Sequence, residues 1–175
     1  GEELKSVGVN MNLAPVVDVY LGRGFIRDRS YGADPKMVTI FAREALAGYH
    51  ANNIITALKH FPGHGDAGDS HLGLPLVDKA KEALQKVDLR PFAELAAETD
   101  AIMTAHLLVP ALDSENCSTL SAKTIAYLRN KGFTGVVIAD SLVMQGVLEM
   151  AGSVDEAAIR ALNAGCDILL LGGKC

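Results

Sequence analysis

The sequence predicts an α/β fold in which a mostly parallel sheet is wrapped by helices. Two observations carry that prediction. Short apolar runs alternate with longer amphipathic stretches, the pattern left by strands buried on both faces and helices buried on one. Polar side chains recur where the apolar runs end, at Asp18, Lys59, His106 and Asp140. In parallel α/β folds the C-terminal strand ends converge on the functional surface, so these positions are expected to face one site.

The elements follow in order. A first strand is predicted over 11–19 (MNLAPVVDV). A helix follows over 35–49, with Val38, Phe41, Ala45 and Tyr49 on one face and Pro35 suited to a first turn. A second strand covers 54–59 (IITALK), followed by helices over 78–85 and 91–98. The third strand is 101–106 (AIMTAH) and its helix 121–130, with Ser121 as N-cap. The fourth strand is 135–140 (GVVIAD), the next helix 154–164 with Ser153 as N-cap, and the fifth strand 167–171 (DILLL). No internal repeat, low-complexity segment or interdomain linker interrupts the series. Five strands fall short of a closed eight-stranded barrel, which takes about 250 residues. An arc of such a barrel and an open doubly wound sheet both fit the pattern.

With 175 residues, 49% of them hydrophobic and 21% charged, the chain has the makeup of one ordinary domain with a real core. A net charge of -5 without a dense Lys/Arg block argues against nucleic acid or an anionic membrane as partner. Cys117, Cys166 and Cys175 are odd in number and widely spaced, which indicates neither a disulfide framework nor a paired-cysteine metal site. They mildly favour a reducing, cytoplasmic compartment, with an extracellular one as the alternative. No apolar run is long enough to span a bilayer, and GEELKSVGVN lacks the regions of a secretion signal. The missing initiator Met points to an N-terminus elsewhere.

The densest chemistry lies between Lys59 and Pro75, in KHFPGHGDAGDSHLGLP. Glycines and the brackets Pro62 and Pro75 predict a loop after a strand. Three of the five histidines, His60, His64 and His71, fall here, and imidazole titrates near neutrality, which suits it to proton transfer. Asp69 and His71 are separated only by Ser70. That spacing lets the carboxylate take one ring nitrogen, fix the tautomer and leave the other nitrogen free as a general acid/base. An isolated Asp-Ser-His is more often an Asx-turn beside an exposed histidine; the surrounding cluster favours function. Asp140 ends the apolar run Val136 to Ala139, so a strand delivers one carboxylate to the functional edge. Such a group can attack an anomeric carbon, or it can simply cap a helix or pair with a cation.

The motifs as a set resemble the bacterial β-N-acetylglucosaminidases of glycoside hydrolase family 3. KHFPGHG (59–65) and DSHLGLP (69–75) are similar to that family's signature. NLAPVVDV (12–19), RSYGADP (29–35), AIMTAH (101–106), GFTGVVIADSLVMQGV (132–147) and AGCDILL (164–170) resemble it in the same order. A long composite motif in fixed order is far more specific than a short pattern. The resemblance implies a (β/α)8 barrel of which residues 1–175 hold about the last five β/α units, the earlier strands lying outside this chain. It implies a retaining enzyme with Asp140 as nucleophile, His71 as acid/base and Asp69 assisting the ring. It gives Arg29, Lys59 and His60 as ligands of sugar hydroxyls, with Asp18 and His106 as weaker candidates that shape the pocket. Without the motif, Arg29 reads equally well as a loop ion pair and Lys59 as a solvated strand end. The implied substrate is a saccharide with terminal β-linked N-acetylglucosamine, from peptidoglycan fragments, and no cofactor or metal is implied. The missing barrel segment is itself an implied partner, because an incomplete barrel leaves an exposed sheet edge and a pocket open on one side. The stretch between Gly65 and Asp69 is one residue shorter than the family pattern.

Two other functions compete. His60, His64, Asp66, Asp69 and His71 offer nitrogen and oxygen ligands for a metal-dependent hydrolase, although their spacing matches no compact helical His pair. The other is a catalytically silent barrel piece that binds without turning over.

Overall fold

The computed structural model of the protein describes residues 1–172, so Cys175 lies outside the described residues. In chain order the elements are α1 (Glu2–Ser6), β1 (Met11–Asn12), a 3-10 turn (Arg27–Arg29), α2 (Pro35–His50), β2 (Ile55–Phe61), α3 (Lys81–Lys86) and α4 (Arg90–Leu95). There follow β3 (Ala101–Thr104), a second 3-10 turn (Ser118–Leu120), α5 (Ala122–Asn130), β4 (Val136–Ala139), α6 (Gln145–Ala151), α7 (Val154–Ala164) and β5 (Ile168–Leu169).

All four strand pairs are parallel, and the sheet order is β1-β2-β3-β4-β5. Each strand therefore pairs with the next in sequence and the order never reverses. A doubly wound sheet needs a reversal to place helices on both faces. Right-handed crossovers that all step the same way put the helices on one face and curl the sheet into an arc of a barrel. The architecture is a half-barrel, matching the α/β barrel expectation and removing the doubly wound alternative.

Strand alternation builds two layers from one sheet. Leu58, Ile102, Val137 and Ala139 point toward the helices and pack with Val38, Leu46, Phe92, Leu95, Leu128 and Ala161 in the main core. Phe61 and Phe92 meet edge to face there, ring centroids 5.3 Å apart. Ala57, Ala101, Met103 and Ile138 point the other way and form a second cluster with Met11, Leu13 and Leu170. That layer fills the concave side of the sheet, as the inward residues of a barrel do.

Local signals set the helix ends. Asp34 accepts from Lys36 N at 2.9 Å with Pro35 in the first turn of α2. Ser121 and Ser153 cap α5 and α7 through Thr124 N and Glu156 N, as predicted. Gly165 closes α7 at φ 109°, a left-handed conformation that costs a side chain energy. Among the described residues no helix is long and apolar enough to cross a membrane.

The structure departs from the sequence reading at several element ends and on one helix face, α2 burying Val38, Thr39, Ala42 and Leu46 rather than Phe41, Ala45 and Tyr49 beside Val38. The first strand forms a regular ladder only over Met11–Asn12 instead of 11–19. Pro15 has no N–H to give, so residues 14–17 follow β2 irregularly, with Ala57 N to Ala14 O, Lys59 N to Pro15 O and Val17 N to Lys59 O at 3.0, 3.2 and 2.8 Å. Helices α1 and α6 were not predicted; they are 5 and 7 residues long, too short to show a helical period. Helix α3 starts at 81 rather than 78, and α4 stops at 95 rather than 98.

Asp113 organises the connection from β3 to α5. Its buried carboxylate accepts from Glu115 N at 3.0 Å, Ser121 Oγ at 2.7 Å and Asn116 Nδ2 at 3.2 Å. Burial alone would raise its pKa, but those hydrogen bonds and Lys123 hold it at about 2. A depressed carboxyl pKa contributes stability above the usual carboxylate range and loses it as pH falls from about 4 toward 2. Asp113→Asn is expected to lower the stability of the complete protein by about 2 kcal/mol at pH 7. In urea unfolding the difference between variant and parent should shrink toward zero near pH 2, and a difference that persists there would contradict the account.

Candidate active site

The site begins with a buried charge. Asp18, fully buried beyond the end of β1, accepts from His60 Nδ1 at 2.7 Å through one oxygen. Its other oxygen accepts the N–H groups of His60 and His64 at 3.1 and 2.7 Å. Burial raises the Asp18 pKa, but the charge and ring hydrogen bond of His60 and the His64 N–H outweigh it, so the carboxyl is held below its usual value. Asp18 thereby fixes the end of β2 and the start of the loop after it. Gly65 is required by contact, since a Cβ there would run into the Val19 carbonyl.

His64 is buried, and burial holds its pKa below the ordinary imidazole value, leaving the ring neutral. Its Nε2 meets Ser70 Oγ at 3.2 Å, while Nδ1 has no partner among the described residues. Ser70 separates the two residues of the predicted dyad. Asp69 Oδ1 accepts both the His71 N–H at 2.9 Å and His71 Nδ1 at 2.7 Å. Burial raises the Asp69 pKa, and the two hydrogen bonds and the charge of His71 together outweigh it, so the carboxyl is held below its usual value. With Nδ1–H donated to the carboxylate, Nε2 of His71 stays available.

The loop is tied down from three sides. Asp66 accepts from Leu21 N at 3.3 Å and from Lys79 Nζ at 3.0 Å, and Lys79 also donates to Asp88 at 3.0 Å. The Gly146 N–H at the start of α6 donates to Ser70 O at 2.9 Å. Leu74 N donates to Glu149 Oε2 at 2.8 Å.

Asp140 follows β4, and one of its oxygens accepts from Ser141 N at 2.7 Å. Ser141 is held in turn by His106, whose Nε2–H donates to the Ser141 carbonyl at 2.9 Å while Nδ1 meets Thr119 Oγ1 at 2.9 Å. Burial keeps the His106 pKa low. His106 and Asp18 thus face the support of the site rather than its opening.

One cleft brings the chemistry together. Arg29, His60, His71 and Asp140 all line it, together with Phe25, Ile26, His64, Ser70 and Met144. Lys59, half-buried, lies within electrostatic reach: burial and the Arg29 charge lower its pKa, and Asp140 and Asp18 raise it. The loop therefore brings His71 to the same cleft as Asp140. Phe25 and Met144 carried no signal in the sequence beyond being apolar. His64 stood out as a loop histidine suited to proton transfer and as a possible metal ligand, whereas the structure places it as a buried support of Ser70.

That metal reading loses its geometry. Among the described residues no three His, Cys, Asp or Glu side chains come together as an ion would require. His60 engages Asp18, Asp66 engages Lys79, Asp69 engages His71 and His64 Nε2 meets Ser70, so no three of the five candidates converge on one point.

The comparisons agree with one another. A beta-hexosaminidase A of Pseudoalteromonas piscicida is 40% identical over 98% of this chain, which spans 31% of that protein. The structure of a glycoside hydrolase family 3 beta-N-acetylglucosaminidase from Paenibacillus sp. str. FPU-7 superposes with a TM-score of 0.93 at 42% identity, covering 98% of this chain and 34% of the other. NagZ from Neisseria gonorrhoeae, solved in complex with N-trifluoroacetyl-D-glucosamine, gives 0.86 at 33% identity, covering 97% and 49%. The chain thus spans between about a third and a half of the length of these relatives. The family described as "Glycosyl hydrolase family 3 N terminal domain" matches residues 1–175, and to that family this chain belongs.

Proposed function

We propose that the protein is a retaining β-N-acetylglucosaminidase that works through a covalent glycosyl-Asp140 intermediate. The observation that carries this reading is that Asp140 and the Asp69-bound His71 line one cleft. The free oxygen of Asp140 attacks the anomeric carbon as the bond from that carbon to the leaving oxygen breaks. His71 Nε2–H gives its proton to the leaving oxygen, and Asp69 stabilises the ring through Nδ1–H. In the second step His71 takes a proton from water, the water oxygen bonds to the anomeric carbon, and Asp140 leaves as carboxylate. Because His71 is neutral when deprotonated, an incoming anionic nucleophile meets less repulsion than a second carboxylate would produce.

Arg29, Lys59 and His60 are the proposed hydroxyl ligands. Cationic and imidazole donors around the ring position it for attack. The names of the relatives support N-acetylglucosamine as the reacting sugar, and peptidoglycan fragments are the proposed natural source. Three further strands against the free edge of β1 would complete the barrel and wall the cleft. That reading is supported by the sheet order, in which β1 has no outer partner among the described residues.

In the complete protein, Asp140→Asn is expected to abolish turnover, and a fluorinated glycosyl donor should label Asp140 in peptide mapping; label on another residue would refute the nucleophile. His71→Ala should cost about 10²- to 10⁴-fold on substrates with poor leaving groups and far less on activated aryl glycosides. Equal losses on both classes would contradict the acid/base role. Activity abolished by a chelator and restored by a metal would promote the metal-dependent reading. N-acetylglucosamine binding without hydrolysis of an aryl β-N-acetylglucosaminide would leave a silent binding piece.

A further inference from the structure

We propose that Phe25 is the leaving-group platform of the cleft, a ring that stacks on the apolar face of the residue attached to the departing oxygen. The proposal rests on the reading of His71 as acid/base. An acid that protonates the leaving oxygen lies within hydrogen-bond reach of it, so the atoms beyond that oxygen must pass the exposed side of His71. Phe25 occupies a flank of that imidazole, its ring centroid 5.6 Å from that of His71 and tilted by 58°.

The ring is presented rather than stored. Phe25 is 37% exposed although its neighbour Ile26 is only 1% exposed and sits in the core. The segment that carries it is fixed to the catalytic loop, with Phe25 N donating to Ala67 O at 3.0 Å and Leu21 N to Asp66 at 3.3 Å. Gly24, at φ 93°, lets the two segments approach, for a Cβ there would lie 2.6 Å from the Ala67 carbonyl oxygen. A platform held on two sides loses little conformational freedom when it binds. Leu72, next to His71 in the chain, is 80% exposed, which widens the apolar rim. A polar polymer face or a charged leaving group would gain nothing from such a surface, whereas the C–H face of a pyranose, like an aryl group, buries apolar area against it. The ligand class is therefore a β-N-acetylhexosaminide whose leaving group is a second sugar ring or a planar aglycone.

The test compares two substrates with alkoxide leaving groups that differ in size, N,N′-diacetylchitobiose and methyl β-N-acetylglucosaminide, in the complete protein. Phe25→Ala is expected to reduce kcat/KM for the disaccharide about fivefold to tenfold more than for the methyl glycoside. Phe25→Tyr, which keeps the ring face, should restore the preference. Equal losses on the two substrates in Phe25→Ala would mean that the ring merely orients His71, and would overturn the platform while the His71→Ala leaving-group pattern stands. An undiminished disaccharide preference would overturn it as well. Failure of the His71→Ala pattern itself would remove the acid/base reading, and the platform with it.

Discussion

A carboxylate with no solvent exposure is expensive to bury unless its charge is paired and its lone pairs are filled. Asp18 meets that requirement by drawing in three donors from the end of β2 and the loop after it: the ring and N–H of His60 and the N–H of His64. The rest of the site depends on this constraint. Because the donors lie 42 to 46 residues further along the chain, the hydrogen bonds lock the end of the first strand to the turn after the second. His60 is thereby held at the cleft wall, and His64 is placed to reach Ser70.

From that anchor the support passes outward to increasingly exposed groups. His64 touches Ser70, Ser70 lies between Asp69 and His71, and the Gly146 N–H grips the Ser70 carbonyl from the far side. His71 itself remains exposed on the loop. Asp140 is carried differently, at the end of a buried strand, with its carboxylate turned by Ser141 N–H and Ser141 braced by His106. A group that must attack one carbon benefits from a rigid mount. A group that must give a proton in one step and take one in the next can sit on a loop, provided its ring is oriented, which Asp69 does. The cations Arg29 and Lys59 then share the neighbourhood of an anionic Asp140 and soften the cost of keeping that charge partly buried.

Much of this arrangement was legible because the relevant signals are local. The alternation of strands and helices and the caps at Ser121 and Ser153 act over a few residues and appear where the sequence places them, whereas α2 buries Val38, Thr39, Ala42 and Leu46 and leaves Phe41 exposed, and β2 runs on to Phe61. The Asp69–His71 pair is likewise a two-residue relation. The short helices α1 and α6 escaped because they complete too few turns to display a period, and the first strand broke early because Pro15 interrupts the ladder.

A parallel α/β chain with a histidine-rich segment at the end of one strand and a carboxylate at the end of another can be read from the residues alone. The unreversed order of the sheet, the burial of Asp18 and His106 as supports, and the place of Phe25 beside His71 emerge only in the folded chain. The difference is one of range. A residue's own neighbours set its backbone preference, whereas its burial, its pKa and its partners come from segments tens of residues away that meet only when the core closes.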